Sequence, residues 1–81
     1  MKARKEKSSI HFLITKDEEG WYAQAEGISI FTEGDTLEEL KDNIRKAVKV
    51  HLCDGEYKKY GLSSETPAIH LAFRYEESLV Q

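Results

Sequence analysis

Alternation of apolar and polar residues predicts three strands in the first part of the chain. Residues 10–16 are rich in β-branched and aromatic side chains, which favour a strand, and the acidic stretch 17–20 ends in glycine and predicts a turn. Residues 21–26 alternate between apolar and polar side chains and predict a second strand. After Gly27, residues 28–33 predict a third strand. Because both connections are short, the three strands should form an antiparallel meander.

The spacing of apolar residues then changes from two to three and four, which is typical of an amphipathic helix. The residues on this stripe are Leu37, Leu40, Ile44, Ala47, Val48 and Leu52. Thr36 and Glu39 have the spacing of a capping box at the start of a helix. Asp35 and Glu38 fit the same pattern, so two neighbouring residues are candidates for the first position. Gly55 is a natural C-terminal stop.

The last third of the chain predicts a loop and one more strand. Residues 56–66 are polar and predict a loop, and Pro67 can open a strand but not occupy a central one. Residues 68–75 predict a fourth strand, with Ile69, Leu71, Phe73 and Tyr75 on one face. The order β-β-β-α-β predicts an α+β fold with the helix packed on one face of the sheet. A right-handed crossover places the fourth strand parallel to the first and beside it, in the order 3-2-1-4.

Length and composition indicate one small globular domain. The chain has 81 residues, with 40% hydrophobic and 33% charged residues, so we expect a single domain over 1–81. Residues 1–8 contain the basic side chains of the N-terminus and predict a flexible tail. A core this small makes association with a partner a reasonable source of stability. The net charge of −3 argues against nucleic-acid binding.

The cysteine count and the lack of long apolar stretches indicate where in the cell the protein is expected. Cys53 is the single cysteine, which excludes a disulfide within the chain and a cysteine-rich zinc site. No apolar stretch approaches the length of a membrane span, and no apolar run of signal-peptide length follows the basic N-terminus. The sequence therefore predicts a cytoplasmic protein without a membrane partner.

The acidic residues are not arranged for catalysis. They cluster at 17–19 and near the helix start, where the group comprises Glu33, Asp35, Glu38 and Glu39. Metal-dependent phosphoryl chemistry needs carboxylates that converge at the centre of a sheet. The first strand has no acid before Asp17 and the fourth has none before Glu76. We therefore expect no catalytic residue and no enzyme.

The histidines predict no shared metal site. His11 and His70 fall on strands expected to be neighbours, and both should point away from the helix. His51 lies on the helix at the boundary of its apolar stripe, on the other side of the sheet, so the three cannot converge on one zinc ion. A two-histidine surface pair remains an open alternative, but no metal and no cofactor is expected. Cys53 has no activating pattern around it and is expected to be inert.

The sheet face opposite the helix is a candidate surface for self-association. It should carry His11, Leu13, Tyr22, Phe31 and His70. This set is too apolar for a fully solvated face, and exposed aromatic patches of this kind are typical of interfaces. A homodimer or higher homo-oligomer is therefore expected. The alternative is that the loop at 56–66 folds over part of this face.

Three stretches together resemble the HicB family. They are an acidic turn followed by glycine and an aromatic residue at 17–23, a T-x-G-x-T-x-x-E signature at 32–40, and the continuation of the helix at 43–47. The resemblance covers roughly residues 10–53. It differs at 26–30, where the proline and glycine-cysteine usual in the family are absent.

The resemblance implies a degraded RNase H-like fold and an antitoxin role. HicB proteins bind and block HicA, a small basic toxin that cleaves mRNA. In this chain the toxin-facing acidic surface would comprise Glu18, Glu19, Glu38 and Glu39. Many members carry a C-terminal DNA-binding domain, but few residues follow the fourth strand here, so direct DNA binding is not expected. The alternative function is an orphan HicB-like homo-oligomeric domain without toxin partner.

Overall fold

A computed structural model describes residues 8–74 of the protein. Its elements are β1 (Ser9–Asp17), β2 (Gly20–Ala25), β3 (Phe31–Gly34), α1 (Leu37–Leu52), the short 3₁₀ helix η1 (Glu56–Tyr60) and β4 (Ala68–Phe73). The sheet order is β3-β2-β1-β4, with β1 antiparallel to β2 and parallel to β4. The predicted fold class and strand order are confirmed. The flexible tail at 1–8 and the place of Tyr75 stay predictions, because residues 1–7 and 75–81 lie outside the described part.

The third strand is shorter than the sequence predicts. It begins at Phe31 rather than at residue 28, because residues 26–30 bend away from the ladder. Gly27 has a φ of 78°, and the N–H of Ala25 closes the bend by donating to the carbonyl of Ile30 at 2.9 Å. Ile30 nevertheless reaches the core and is 1% exposed. The apolar residues of this stretch therefore pack as predicted, although their backbone is not a strand.

The core lies between α1 and one face of the sheet. Its buried members are Ile10, Phe12, Ile14, Ala23, Ala25, Ile30, Leu40, Ile44, Val48, Leu52 and Leu62. Four of them lie on the predicted stripe of α1 and three alternate along β1. Burial of each large aliphatic or aromatic side chain contributes about 1.5–3 kcal/mol. This face therefore holds the helix against the sheet.

Thr36 is the N-cap of α1, which decides between the two candidate starts. Its Oγ1 accepts a hydrogen bond from the N–H of Glu39 at 3.1 Å. The side chain of Glu39 returns to accept from the N–H of Asp35 at 2.8 Å, one residue before the cap. Both bonds satisfy donors at the helix start that have no partner within the helix.

The segment 56–66 is more structured than a polar loop. It contains η1, whose flanking residues Gly55 and Gly61 both have positive φ. Leu62 is 2% exposed within the core, and Tyr57 and Tyr60 pack against the same cluster. The segment therefore packs on the helix side of the sheet rather than across the opposite face. Within residues 8–74, no helix has the length and apolar character needed to cross a membrane.

Candidate functional site

An acidic cleft lies where the β1–β2 turn, the end of β3 and the start of α1 meet. Its volume is about 500 Å³. The cleft is lined by Glu19, Gly20, Tyr22, Glu33, Gly34, Asp35, Glu39 and Asn43. Four of these residues carry carboxylates, two are glycines, and Tyr22 and Asn43 are polar. We refer to this set of residues as the acidic cleft.

Two glycines allow the three segments to come this close. A Cβ on Gly20 would lie 2.9 Å from the carbonyl oxygen of Gly34. A Cβ on Gly34 would lie 2.7 Å from the backbone nitrogen of Leu40, in the first turns of α1. Neither neighbour is a flexible side-chain end, so any larger residue forces the backbone apart. The cleft therefore depends on glycine at both positions.

Hydrogen bonds hold the walls of the acidic cleft. Asp17 Oδ1 accepts from the N–H groups of Glu19 at 2.7 Å and Gly20 at 3.1 Å, which fixes the β1–β2 turn. The side-chain amide of Asn43 donates to the carbonyl of Glu33 at 2.8 Å and ties α1 to β3. These bonds use the main-chain groups of Glu19 and Glu33, whose side chains are exposed.

Of the four acids predicted to face a toxin, the structure brings together two. Glu19 and Glu39 line the acidic cleft, whereas Glu18 and Glu38 are exposed but do not line it. Glu33 and Asp35 complete the cleft instead. The sequence could have indicated Glu33 through the alternation along β3, because Glu33 shares a face with Phe31 and lies opposite Tyr22. Asn43 had no such signal, since its role depends on the packing of α1 on β3.

The acidic cleft carries uncompensated negative charge among the described residues. The salt bridges among residues 8–74 join Asp42 to Arg45 and Lys46, and Glu56 to Lys59. None of these residues lines the acidic cleft. Partial burial, followed by the nearby carboxylates of Asp17 and Glu19, raises the pKa of the Tyr22 phenol above its usual value. Tyr22 is therefore a neutral hydrogen-bond donor beside the carboxylates at neutral pH. Such a set can accept guanidinium or ammonium groups.

The predicted self-association residues lie together on the face of the sheet opposite α1, which we call the open face. His11 and His70 are paired in the β1–β4 register, and their rings stack with centroids 4.9 Å apart. Tyr22 and Phe31 stack with centroids 6.2 Å apart, and Phe31 is 59% exposed. Leu13 is half-buried on β1. The predicted grouping is thus present as a surface, with Tyr22 at its border with the acidic cleft.

The remaining candidate side chains do not join a site. His51 is exposed, so its assignment to the boundary of the core is wrong; its Nδ1 lies 2.9 Å from the carbonyl oxygen of Ala47. Cys53 is a free thiol at the C-cap of α1, within 3.3 Å of the carbonyl oxygen of Val50. In residues 8–74, no group of three or more His, Cys, Asp or Glu side chains is placed to hold a metal ion.

Comparison with known proteins identifies relatives but not an activity. A UPF0150 protein of Archaeoglobus fulgidus is 43% identical over 58 residues, which cover 70% of this chain and 88% of the relative. A UPF0150 protein of Thermotoga maritima is 46% identical over 50 residues, which cover 60% of this chain and 71% of the relative. The sequence matches no family model, and no solved structure matches the protein. At this identity and coverage, the chain belongs to the UPF0150 family.

Proposed function

We propose that the protein is a HicB-like, antitoxin-type binding module that neutralises a HicA-type mRNA-cleaving toxin without catalysing a reaction itself. The observation that carries the proposal is the acidic cleft, which four carboxylate residues line without a salt-bridge partner among the described residues. A surface of this kind complements a basic protein. A cytoplasmic location, in which Cys53 stays reduced, fits this role.

The acidic cleft suggests how neutralisation would work. A ribonuclease holds its substrate through Arg and Lys contacts to phosphates. The same cationic side chains fit carboxylates such as Glu19, Glu33 and Asp35, with bidentate bonds from Arg as the strongest geometry. A toxin seated on the cleft would have its phosphate-binding groups occupied. The hydroxyl of Tyr22 and the amide of Asn43 would add directional contacts at the wall.

Binding to a small basic protein encoded by a neighbouring gene tests the proposal. Isothermal titration of the purified pair should give a Kd that rises at least about tenfold in the double variant Glu19→Gln/Glu33→Gln, because each charged hydrogen bond contributes about 1.5–3 kcal/mol. The matched control is Glu18→Gln/Glu38→Gln, which removes the same charge outside the cleft and should change the Kd little. Absence of binding by the wild-type protein would contradict the proposal. Equal effects of the two double variants on the Kd would reject the acidic cleft as the binding site.

Homo-oligomerisation without a toxin is the second candidate function. The exposed Phe31 and the stacked histidine pair of the open face favour it, since such groups are enriched at interfaces. Failure to bind a toxin combined with self-association that Phe31→Lys abolishes would support this alternative. Cleavage of RNA by the purified protein with magnesium or manganese would overturn the non-catalytic part of both candidates.

A further inference from the structure

The outer edge of β4 presents unpaired main-chain groups. The N–H groups of Ala68 and Arg74 donate inward to the carbonyls of Ser8 at 3.0 Å and Ile14 at 2.9 Å. Because main-chain groups alternate along a strand, the N–H and carbonyl groups of Ile69, Leu71 and Phe73 point outward. Among residues 8–74, no strand pairs with this edge.

Among residues 8–74, this edge carries neither a charge nor a proline within the strand, and it has no bulge. β4 has six residues and contains no Lys, Arg, Asp or Glu. Its register with β1 is continuous, so no bulge twists the edge away. Pro67 lies before the first residue of the strand and leaves the rest unprotected. Natural proteins commonly block an open edge with a charge, a proline or a bulge.

A groove runs along the helix side of the same edge. It lies between α1 and β4, has a volume of about 250 Å³, and is lined by Lys41, Ile44, Arg45, Ile69 and Leu71. Phe73 lies in the same row of β4, is 48% exposed, and meets Trp21 edge-to-face on its inner side. Lys41 and Arg45 can cover such a row with their carbon stems while their charges stay in water.

We propose that β4 pairs antiparallel with β4 of a second copy of this chain, about a two-fold axis at Leu71. In this register Leu71 lies opposite the partner's Leu71, and Ile69 lies opposite the partner's Phe73. Side chains on the helix side then meet each other, and each exposed Phe73 covers the partner's groove. The three outward-pointing residues of each strand supply about six main-chain hydrogen bonds. An axis at His70 would pair fewer of these groups.

The expected size of this contact reaches the lower end of the range for stable dimers. At about one hydrogen bond per 100–200 Å², six bonds correspond to roughly 600–1,200 Å² of interface. Each Phe73 is 48% exposed and can therefore add about half of the 150–250 Å² that a fully covered aromatic residue buries. Stable interfaces bury about 1,200–2,000 Å² in total.

The dimer leaves the acidic clefts accessible. β4 and β3 are the opposite edges of the sheet, and the acidic cleft lies at the β3 end. Joining two copies through β4 therefore places the two clefts at the far ends of one continuous sheet. Each cleft can take a basic partner without disturbing the dimer, so self-association and partner binding are separable in experiment.

Sedimentation equilibrium of the full chain alone tests the pairing. We expect a dimer for the wild type, and we expect Phe73→Lys to raise the dimer Kd by about tenfold or more because it places a charge at each end of the shared ladder. The matched control is Phe31→Lys, the same change at an exposed aromatic residue on the open face, which should leave the dimer intact. Circular dichroism checks that both variants fold. A monomeric wild type, or dissociation by Phe31→Lys but not by Phe73→Lys, would overturn the proposal.

A cysteine placed on the two-fold axis tests the register. Directly opposed, hydrogen-bonded residues of antiparallel strands have Cα atoms about 5.5 Å apart, within the range that a disulfide spans. The variant Cys53→Ser/Leu71→Cys should therefore form a disulfide-linked dimer under mild oxidation. The control Cys53→Ser/Phe31→Cys should stay largely uncrosslinked. Crosslinking through position 31 alone would reject pairing through β4.

Discussion

The two edges of the sheet differ in length, charge and protection. β3 has four residues, includes Glu33, and leads directly into the capped start of α1. β4 has six residues, carries no charge, and borders a groove lined by aliphatic side chains together with Lys41 and Arg45. An acidic edge repels a second copy of itself and attracts a basic protein, whereas an uncharged edge with free main-chain groups can pair with its own copy. One small sheet can thus offer two surfaces that select different partners.

Substitution of Gly34 should break the acidic edge and give the largest effect. A Cβ there would lie 2.7 Å from the backbone nitrogen of Leu40, so Gly34→Ala forces α1 away from β3 and should lower the free energy of unfolding by about 3 kcal/mol. Chemical denaturation measures this loss. Gly27→Ala is the control, since its Cβ meets no atom within 4 Å and only the positive φ costs about 1 kcal/mol. Equal losses in the two variants would show that β3 and α1 are not in close contact at Gly34.

Salt should separate the two edges without any substitution. Exposed charges are screened over about 10 Å at 0.1 M salt and about 3 Å at 1 M. Binding of a basic partner to the acidic cleft should therefore weaken by about tenfold or more between 0.05 and 0.5 M sodium chloride, as for other contacts made by several charges. Pairing through β4 joins uncharged strands, and Lys41 and Arg45 beside it carry charge of the same sign, so salt should not weaken the dimer. Ultracentrifugation of the chain alone and titration with the partner measure both, and a dimer that dissociates with salt would argue against β4.

Loss of the cap on α1 should have a smaller and local effect. Thr36→Ala removes the hydroxyl that accepts from the N–H of Glu39 and should cost about 1 kcal/mol. Thermal or chemical denaturation measures the change, and Thr36→Ser should restore most of it because the acceptor oxygen returns. The dimer through β4 should be unaffected in both variants. If Thr36→Ser is as unstable as Thr36→Ala, the hydroxyl is not what caps the helix.

The sequence predicts the two edges unequally well. Strand order and the helix stripe follow from periodicity, which depends on neighbours in the chain, and these predictions are confirmed. The bend at 26–30 was missed because Ile28 and Ile30 are apolar in a bend as they would be in a strand. The acidic cleft was half predicted, since it is built from three separate segments whose close contact depends on Gly20 and Gly34.

The segment 56–66 also shows that local composition does not reveal how a segment packs. Its polar composition predicts a loop, and only the packing of Leu62 with the helix side of the core reveals that it is ordered there. The open edge of β4 is likewise a property of topology, because the strand sequence alone does not tell which of its sides is paired.

The smallest expected effect concerns the titration of Tyr22, which lines the acidic cleft at the β3 edge. Partial burial and the charges of Asp17 and Glu19 raise the pKa of this phenol, so Glu19→Gln should lower it. A phenol whose folded pKa is raised stabilises the fold below about pH 10, and this contribution is lost as pH rises through the folded pKa. As the pH rises above about 10, the free energy of unfolding should therefore fall less for Glu19→Gln than for the wild type.

The phenol resonances of the tyrosines, followed by NMR during alkaline titration, measure the shift, with Tyr22→Phe giving the assignment. Glu18→Gln is the control, because Glu18 lies outside the acidic cleft and is not among the charges that raise this pKa. An equal shift in Glu18→Gln would mean that Tyr22 responds to net charge alone. A shift confined to Glu19→Gln would place a carboxylate beside the phenol in solution, where a basic partner would meet both.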